Sequence, residues 1–438
     1  MDIDKCFPKE ATERISLPQL KILLLKGDAG DRTFPEKVSC ENLRWLQWRC
    51  CPFPQLPDRL CSKELRVLDL SFSNIKDVPE SLPNLLVLDL TGTKITELPD
   101  HFRSPSLRVL RLSRTEISKV PVLQNLETLE LHSCKKFRGE FPYLPSLRHL
   151  GLSNCNDLTF LDVCNGGMTD LRHLDLRSSG LSILHKKMMK LSSLEHLNLQ
   201  VCTSLETLSF LPTTLQKLRL AGCSGLQTVN LQASLPKLQK FGAEECRNLR
   251  TLPKELGSCM RVLALQGCDG LSELLATNQA ALFRDLYSLQ KLDLSRCMSL
   301  KTLSFLPTSL EELILIGCIE LEVLDFRSGN FTNLKRLDIR FCPRLRSLPQ
   351  ELGTLPELSI ERDDPPLTIE STESEPTIEI DDPVHTIEST EGYPKIEIDD
   401  PAHTIETTLP PLRLHKRRGL RSRIKSWVRR KMLPLSKV

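Results

Sequence analysis

Aromatic residues make up only 5% of this chain of 438 residues, with three tryptophans and three tyrosines. Rings carry much of the packing in an ordinary globular centre. A core here must instead be assembled from many thin layers of smaller side chains. No stretch approaches the roughly 18 consecutive apolar residues of a membrane-crossing helix. The opening MDIDKCFPKEATERI has no basic run followed by an apolar one, so no secretory leader is expected. Sixteen cysteines are present, yet none form the close C-x-x-C pairs of a metal cluster. With no leader expected, they are read as reduced thiols in the cytoplasm. H-E-x-x-H, G-x-S-x-G, G-x-x-x-x-G-K-[ST] and dinucleotide-binding patterns are all missing. The chain is therefore expected not to be an enzyme, with no catalytic residue, cofactor or metal.

Leucine fills the space those absences leave. The pattern L-x-x-L-x-L-x-x-(C/T/S)-x-x-L begins near Leu20, Leu43, Leu65, Leu85, Leu107, Leu126, Leu147, Leu171, Leu194, Leu215, Leu238, Met260, Leu289, Leu310 and Leu334. These fifteen units lie 19–24 residues apart, except for a gap of 29 after Met260. Positions 1, 4 and 6 bracket a short strand, so Leu65, Leu68 and Leu70 should point inward. Position 9 must turn the chain while satisfying backbone groups that no neighbouring strand reaches. Ten cysteines occupy it, from Cys51 and Cys134 to Cys342, and serine, threonine or aspartate occupies the rest. They should form one buried ladder. Many units end in Leu-Pro or Val-Pro, as at Leu56-Pro57 and Val78-Pro79, which stops regular pairing. The return side of each coil should therefore be loops and short helical turns, with a real helix only near 272–288. Residues 193–226 recur as 288–321, so the array has grown by copying several units together.

Leu43-Arg-Trp-Leu-Gln-Trp48, Cys51-Pro-Phe-Pro-Gln-Leu-Pro57, LRVLDLSFSNIKDVP (65–79) and LRVLRLSRTEISKVP (107–121) carry a resemblance. The chain resembles the leucine-rich-repeat region of plant intracellular nucleotide-binding disease-resistance proteins, the subclass with a Toll/interleukin-receptor domain. The resemblance covers about 20–358. It implies an α/β solenoid (horseshoe) of about fifteen leucine-rich repeats, with short parallel strands on a concave face. It also implies a role in ligand sensing or autoinhibition within defence signalling. Only 19 residues precede the repeats and no phosphate-binding loop is found, so nucleotide switching is not carried over. A leucine-rich adaptor or scaffold, for instance one recruiting substrates to a ubiquitin ligase, is the competing reading, as is a fragment of a longer receptor.

In such a solenoid positions 3, 5, 7 and 8 face a protein ligand. The inner arc would span on the order of 70 Å. The side chains expected to bind are Trp45, Phe72, Arg111, Arg114, Lys217, Arg219, Lys240, Lys291, Arg296, Arg336, Arg340 and Phe341, because aromatics and arginine dominate interfaces. His149, His173 and His196 stack in the same column and join that surface. A straight column of imidazoles fits a tetrahedral metal poorly.

Past the repeats the composition changes. Residues 1–19 read as a cap or remnant, 20–358 as the solenoid, 359–408 as acidic 18-residue repeats and 409–438 as a basic tail. Residues 361–408 hold 15 acidic side chains against Arg362 and Lys395, whereas 411–438 hold 11 lysines or arginines and no acid. The acidic part is expected to be disordered. In the tail, Arg417, Arg418, Arg421, Arg423, Lys425, Arg429, Arg430 and Lys431 accompany Trp427 at helical spacing. They are expected to meet an anionic membrane or an import receptor, placing the chain at a membrane periphery or in the nucleus. No sequence-specific nucleic-acid contact is expected.

Overall fold

The computed structural model describes residues 15–26, 38–99, 101–163, 167–231, 233–253, 256–271, 283, 286–326 and 331–363. The basic tail, nearly all of the acidic repeats, residues 1–14 and most of the expected helix at 272–288 lie outside them.

Sixteen short parallel strands form one sheet in strict chain order, from Ile22–Lys26 and Trp45–Arg49 to Arg336–Asp338 and Ser359–Glu361. Each of the fifteen units contributes one strand. The sixteenth, Ser359–Glu361, continues the sheet past the last counted leucine unit, and its register puts Glu361 beside Asp338. Pairing is always like position on like position: Val67 faces Val87, Leu68 faces Leu88 and Asp69 faces Asp89. A parallel ladder tolerates no slip here, because a shift of one residue would turn the leucines outward.

The leucines behave as the period requires. Positions 1, 4 and 6 are fully buried in coil after coil, as at Leu215, Leu218 and Leu220. Position 11 closes the same layer with Ile75, Ile95 or Ile117, and position 12 does so with Phe137 or Leu158. The result is one continuous core running from Leu23 to Leu352.

All ten ladder cysteines are buried, and each described cysteine is a free thiol. Their hydrogen bonds explain the position. Cys223 Sγ donates to Leu199 O at 3.0 Å, Cys246 to Leu220 O at 3.0 Å and Cys318 to Leu294 O at 3.1 Å. Nine of the ten thiols, all but Cys51, thus reach back to the position-6 carbonyl of the preceding coil. Ser73, Thr93 and Thr115 donate instead to the position-6 carbonyl of their own coil, at 2.6–2.7 Å. Burial pushes the Cys155 thiol up to about 11 and Cys297 to about 12. Both are protonated donors at neutral pH.

Just before the ladder the chain makes a left-handed turn. From Cys50 to Phe341, position 8 of fourteen successive coils has φ between +52° and +74°. Glycine adopts this freely at Gly92, Gly222, Gly267 and Gly317, but Val201 sits there with a β-branched side chain.

On the return side, four 3-10 helices among the described residues (Asp58–Leu60, Lys186–Lys190, Asp269–Leu271 and Gln350–Thr354) alternate with loops and small parallel pairs. Thr207–Leu208 pairs with Thr228–Val229, and Thr302–Leu303 with Val323–Leu324. The first strand of each pair lies at the same place in the duplicated segments and the second just past their ends, so the local structure recurs with the copied sequence. Asparagines at the coil corners tie neighbours together, as where Asn84 Nδ2 donates to Lys63 O and Asn125 Nδ2 to Pro105 O. No described helix is long and apolar enough to cross a membrane.

Two substitutions test this packing by chemical denaturation. Leu218→Ala should cost about 2–5 kcal/mol through the cavity it leaves. Val201→Gly should stabilise by about 1 kcal/mol, because it relieves a left-handed β-branched residue. Loss of stability at both positions would contradict the assigned turn.

Candidate functional site

Because positions 4 and 6 are buried, pleating places positions 3, 5 and 7 on the opposite face of the sheet. The register then aligns them in columns. His149 faces His173, His173 faces His196, His196 faces Lys217 and Lys217 faces Lys240. Position 5 sets Asn198 beside Arg219 and Arg219 beside Gly242. Trp45, partly buried, follows the exposed Ile22 at the start of the position-3 column. The left-handed turn lifts Phe72 and Phe341 clear of the sheet, and more than half of each is exposed. Arg114 and Arg296 share that turn position.

Most of the arginines expected to await a partner are already held. Arg111 lies between Asp89 at 3.7 Å and Glu130 at 2.9 Å, with only 17% of its side chain exposed. Lys291 pairs with Glu312 at 2.7 Å and Arg296 with Glu245 at 3.8 Å. Arg336 and Arg340 both hold Asp338 and Glu361. The Asp338 carboxylate is fully buried; burial opposes its charge, but the two guanidinium groups outweigh this and hold its pKa below the ordinary range. These counter-ions went unnoticed in the sequence. Their signal is an acid at position 5 in register with an arginine on the next coil, or two residues away on the same one. Position-5 carboxylates also cap the turn: Asp69 and Asp293 accept the backbone N–H of Ser71 and Ser295.

The middle of the face is different. The rings of His149 and His173 stack in parallel with centroids 4.5 Å apart, and His196 tilts onto His173 at 4.4 Å. Lys217, Arg219 and Lys240 follow directly, and no carboxylate lies within ion-pairing distance of any of them among the described residues. Partial burial, with Arg219 and Lys240 alongside, holds the Lys217 ammonium below the usual lysine range. Among the described residues no group of three His, Cys, Asp or Glu side chains is arranged to hold a metal ion.

Burial also lowers each imidazole. At His149 the neighbouring His173 and Arg148 add to the effect, and at His196 so do His173 and Lys217; Glu127 and Glu195 oppose it. Each folded value thus lies below the unfolded value of about 6.5. The stack's contribution to stability is complete above that value and is lost as pH falls through the folded values. Thermal unfolding of His173→Gln should therefore lose less between about pH 7 and pH 5 than the parent does. An identical pH profile for both proteins would contradict the assignment.

No protein-family model matches the chain. Its relatives are plant proteins. It is 32% identical over 210 residues to disease resistance protein RPS4B of Arabidopsis thaliana, covering 42% of this chain and 17% of that protein. A probable disease resistance protein of the same plant is 27% identical over 355 residues, covering 72% and 18% respectively. TMV resistance protein N of Nicotiana glutinosa is 25% identical over 252 residues, covering 53% and 21%. The chain thus spans about a fifth of the length of the relatives it matches. Among solved structures, a leucine-rich-repeat protein of Leptospira interrogans is 20% identical, with a TM-score of 0.41 over 73% of this chain and 84% of that one. Parallel coils in register and the ladder at position 9 make the chain a leucine-rich-repeat solenoid, and the sequences it is similar to are plant disease-resistance proteins.

Proposed function

We propose that this chain is the recognition part of a plant immune receptor and binds a protein partner on its sheet face. The observation that carries the proposal is the contrast along that face. On its two flanks the cations at positions 3, 5 and 7 are satisfied by their own ion pairs, leaving Arg114 at the turn unpaired among the described residues, whereas the run His149, His173, His196, Lys217, Arg219 and Lys240 gathers uncompensated charge and accessible rings in one place. Surface of that kind is costly to keep and is regained on binding. Phe72 and Phe341, exposed on the same rim of the coils, offer apolar anchors. Free thiols throughout the described ladder fit a reducing compartment, so the proposed setting is intracellular.

A photo-cross-linking residue placed at Gln200, on the face, should trap a partner in plant cells, and one at Ile183, off the sheet, should not. Arg219→Glu with Lys240→Glu should abolish the Gln200 adduct while shifting stability by no more than about 1 kcal/mol, as exposed sites do. Equal trapping at both sites, or an adduct that survives the double substitution, would overturn the proposal.

A further inference from the structure

Nine cations stand at positions 3, 5 and 7 between the strands Trp45–Arg49 and Arg336–Asp338. Six of them, Arg49, Arg111, Arg177, Lys291, Arg336 and Arg340, hold a carboxylate within 4.0 Å. The other three are Lys217, Arg219 and Lys240, which are adjacent in the register. Random omission of counter-ions would scatter the unpaired cations; here they are gathered at one place. Of the neighbouring carboxylates, Glu244 lies over Gly242 without reaching ion-pairing distance of the three cations, and two others are engaged elsewhere. Glu195 holds Arg172 at 3.2 Å, and Glu245 holds Arg247 at 3.1 Å and Arg296 at 3.8 Å.

We propose that this face takes an extended, carboxylate-rich polypeptide segment, with acidic side chains seated on Lys217, Arg219 and Lys240. The inference rests on the sheet face being the recognition surface and goes further by naming the partner's chemistry. Lys217 and Arg219 are two residues apart on one strand, about 6.7 Å, which matches alternate side chains of an extended partner. Lys240 lies one strand over, about 4.8 Å from Lys217, so that one carboxylate can be shared between two ammonium groups. Beside Arg219 the strands carry only Gly242 and Ala264, with the flexible Glu244 side chain lying over Gly242 and the His132 ring over Gly151. At neutral pH the three imidazoles add hydrogen-bonding edges without charge.

Two other ligands fit less well. A nucleic acid draws its affinity from many phosphate contacts, roughly 6–10 in a typical complex. Three cations bordered by neutral imidazoles on one side are too few. A metal ion needs donors that converge on one point, whereas the three imidazoles stack in a column, and the lysines and arginine beside them repel a cation.

The test uses the full chain and a fluorescent peptide of about eight residues with glutamate at alternate positions. Anisotropy should show saturable binding that weakens moderately between about 50 and 200 mM salt, as expected for two or three ion contacts. Lys217→Glu with Arg219→Glu should weaken it at least about ten-fold. Lys291→Gln, on the same face but already paired, should leave it within about two-fold. An oligothymidylate of equal charge should compete poorly. Amine labelling should modify Lys217 and Lys240 in the chain alone and spare them once the peptide is bound.

Absence of saturable binding, indifference to the double substitution, or tighter binding of the oligonucleotide would overturn the proposal. So would protection of both lysines before any peptide is added, which would assign the site to the chain's own acidic repeats. Failure of the peptide with cross-linking at Gln200 intact rejects the acidic partner and leaves the recognition face standing. Loss of both rejects the face itself.

Discussion

A main-chain carbonyl turned inward at the end of every strand sets the terms for this solenoid. Left alone, each would be a buried acceptor without a donor, at a cost of about 1–3 kcal/mol. Leu220 O shows the solution: it accepts the backbone N–H of Cys223 at 3.1 Å and the thiol of Cys246 at 3.0 Å. One bond closes the coil and the other fastens it to the next. In every described coil position 9 carries a small side chain with a donor. The left-handed turn at position 8 delivers it there, which is why Val201 and Phe72 tolerate a conformation better suited to glycine. The thiol reaches the preceding coil and the hydroxyl of Ser73 or Thr93 its own, so cysteine strengthens the fastening between coils most directly.

Once coils are fastened in register, the outward side chains have no choice of neighbour. Columns follow, and with them an electrostatic problem. About 4.8 Å separates one strand from the next, so like charges stacked at one position repel appreciably. Most of the face resolves this by placing acids beside the cations, in the same column for Asp89 and Glu130 around Arg111 and in an adjacent one for Asp338 and Glu361 around Arg336 and Arg340. At the centre it is left unresolved. Three stacked imidazoles held neutral by burial give way to three unpaired cations, and stability is sacrificed where recognition would use the charge.

Much of this was legible in the sequence, and the reasons for the remainder are physical. Counting leucines located the strands, the inward positions and the cysteine ladder, because burial repeats with a fixed period. The column His149, His173, His196, Lys217, Lys240 followed from the same count. Ion pairing did not, since whether Arg111 meets Glu130 depends on rotamers and on side-chain reach across strands. That is why Arg111, Lys291, Arg336 and Arg340 looked as available as Arg219. Glu361 was read as part of an acidic spacer because no leucine marks its strand; in the fold it belongs to the last coil and holds two arginines. The left-handed turn was invisible too, because ten of the fourteen residues that adopt it are not glycine.

The central claim is that Lys217, Arg219 and Lys240 are uncompensated in the folded chain, unlike the paired cations around them. Thermal unfolding of Lys217→Gln and Lys291→Gln at low and high salt measures this directly. The account predicts that Lys217→Gln raises the unfolding temperature, that salt shrinks the gain, and that Lys291→Gln lowers it by breaking the pair with Glu312. A loss of stability in both variants, or a gain at Lys217 that salt leaves untouched, would contradict it.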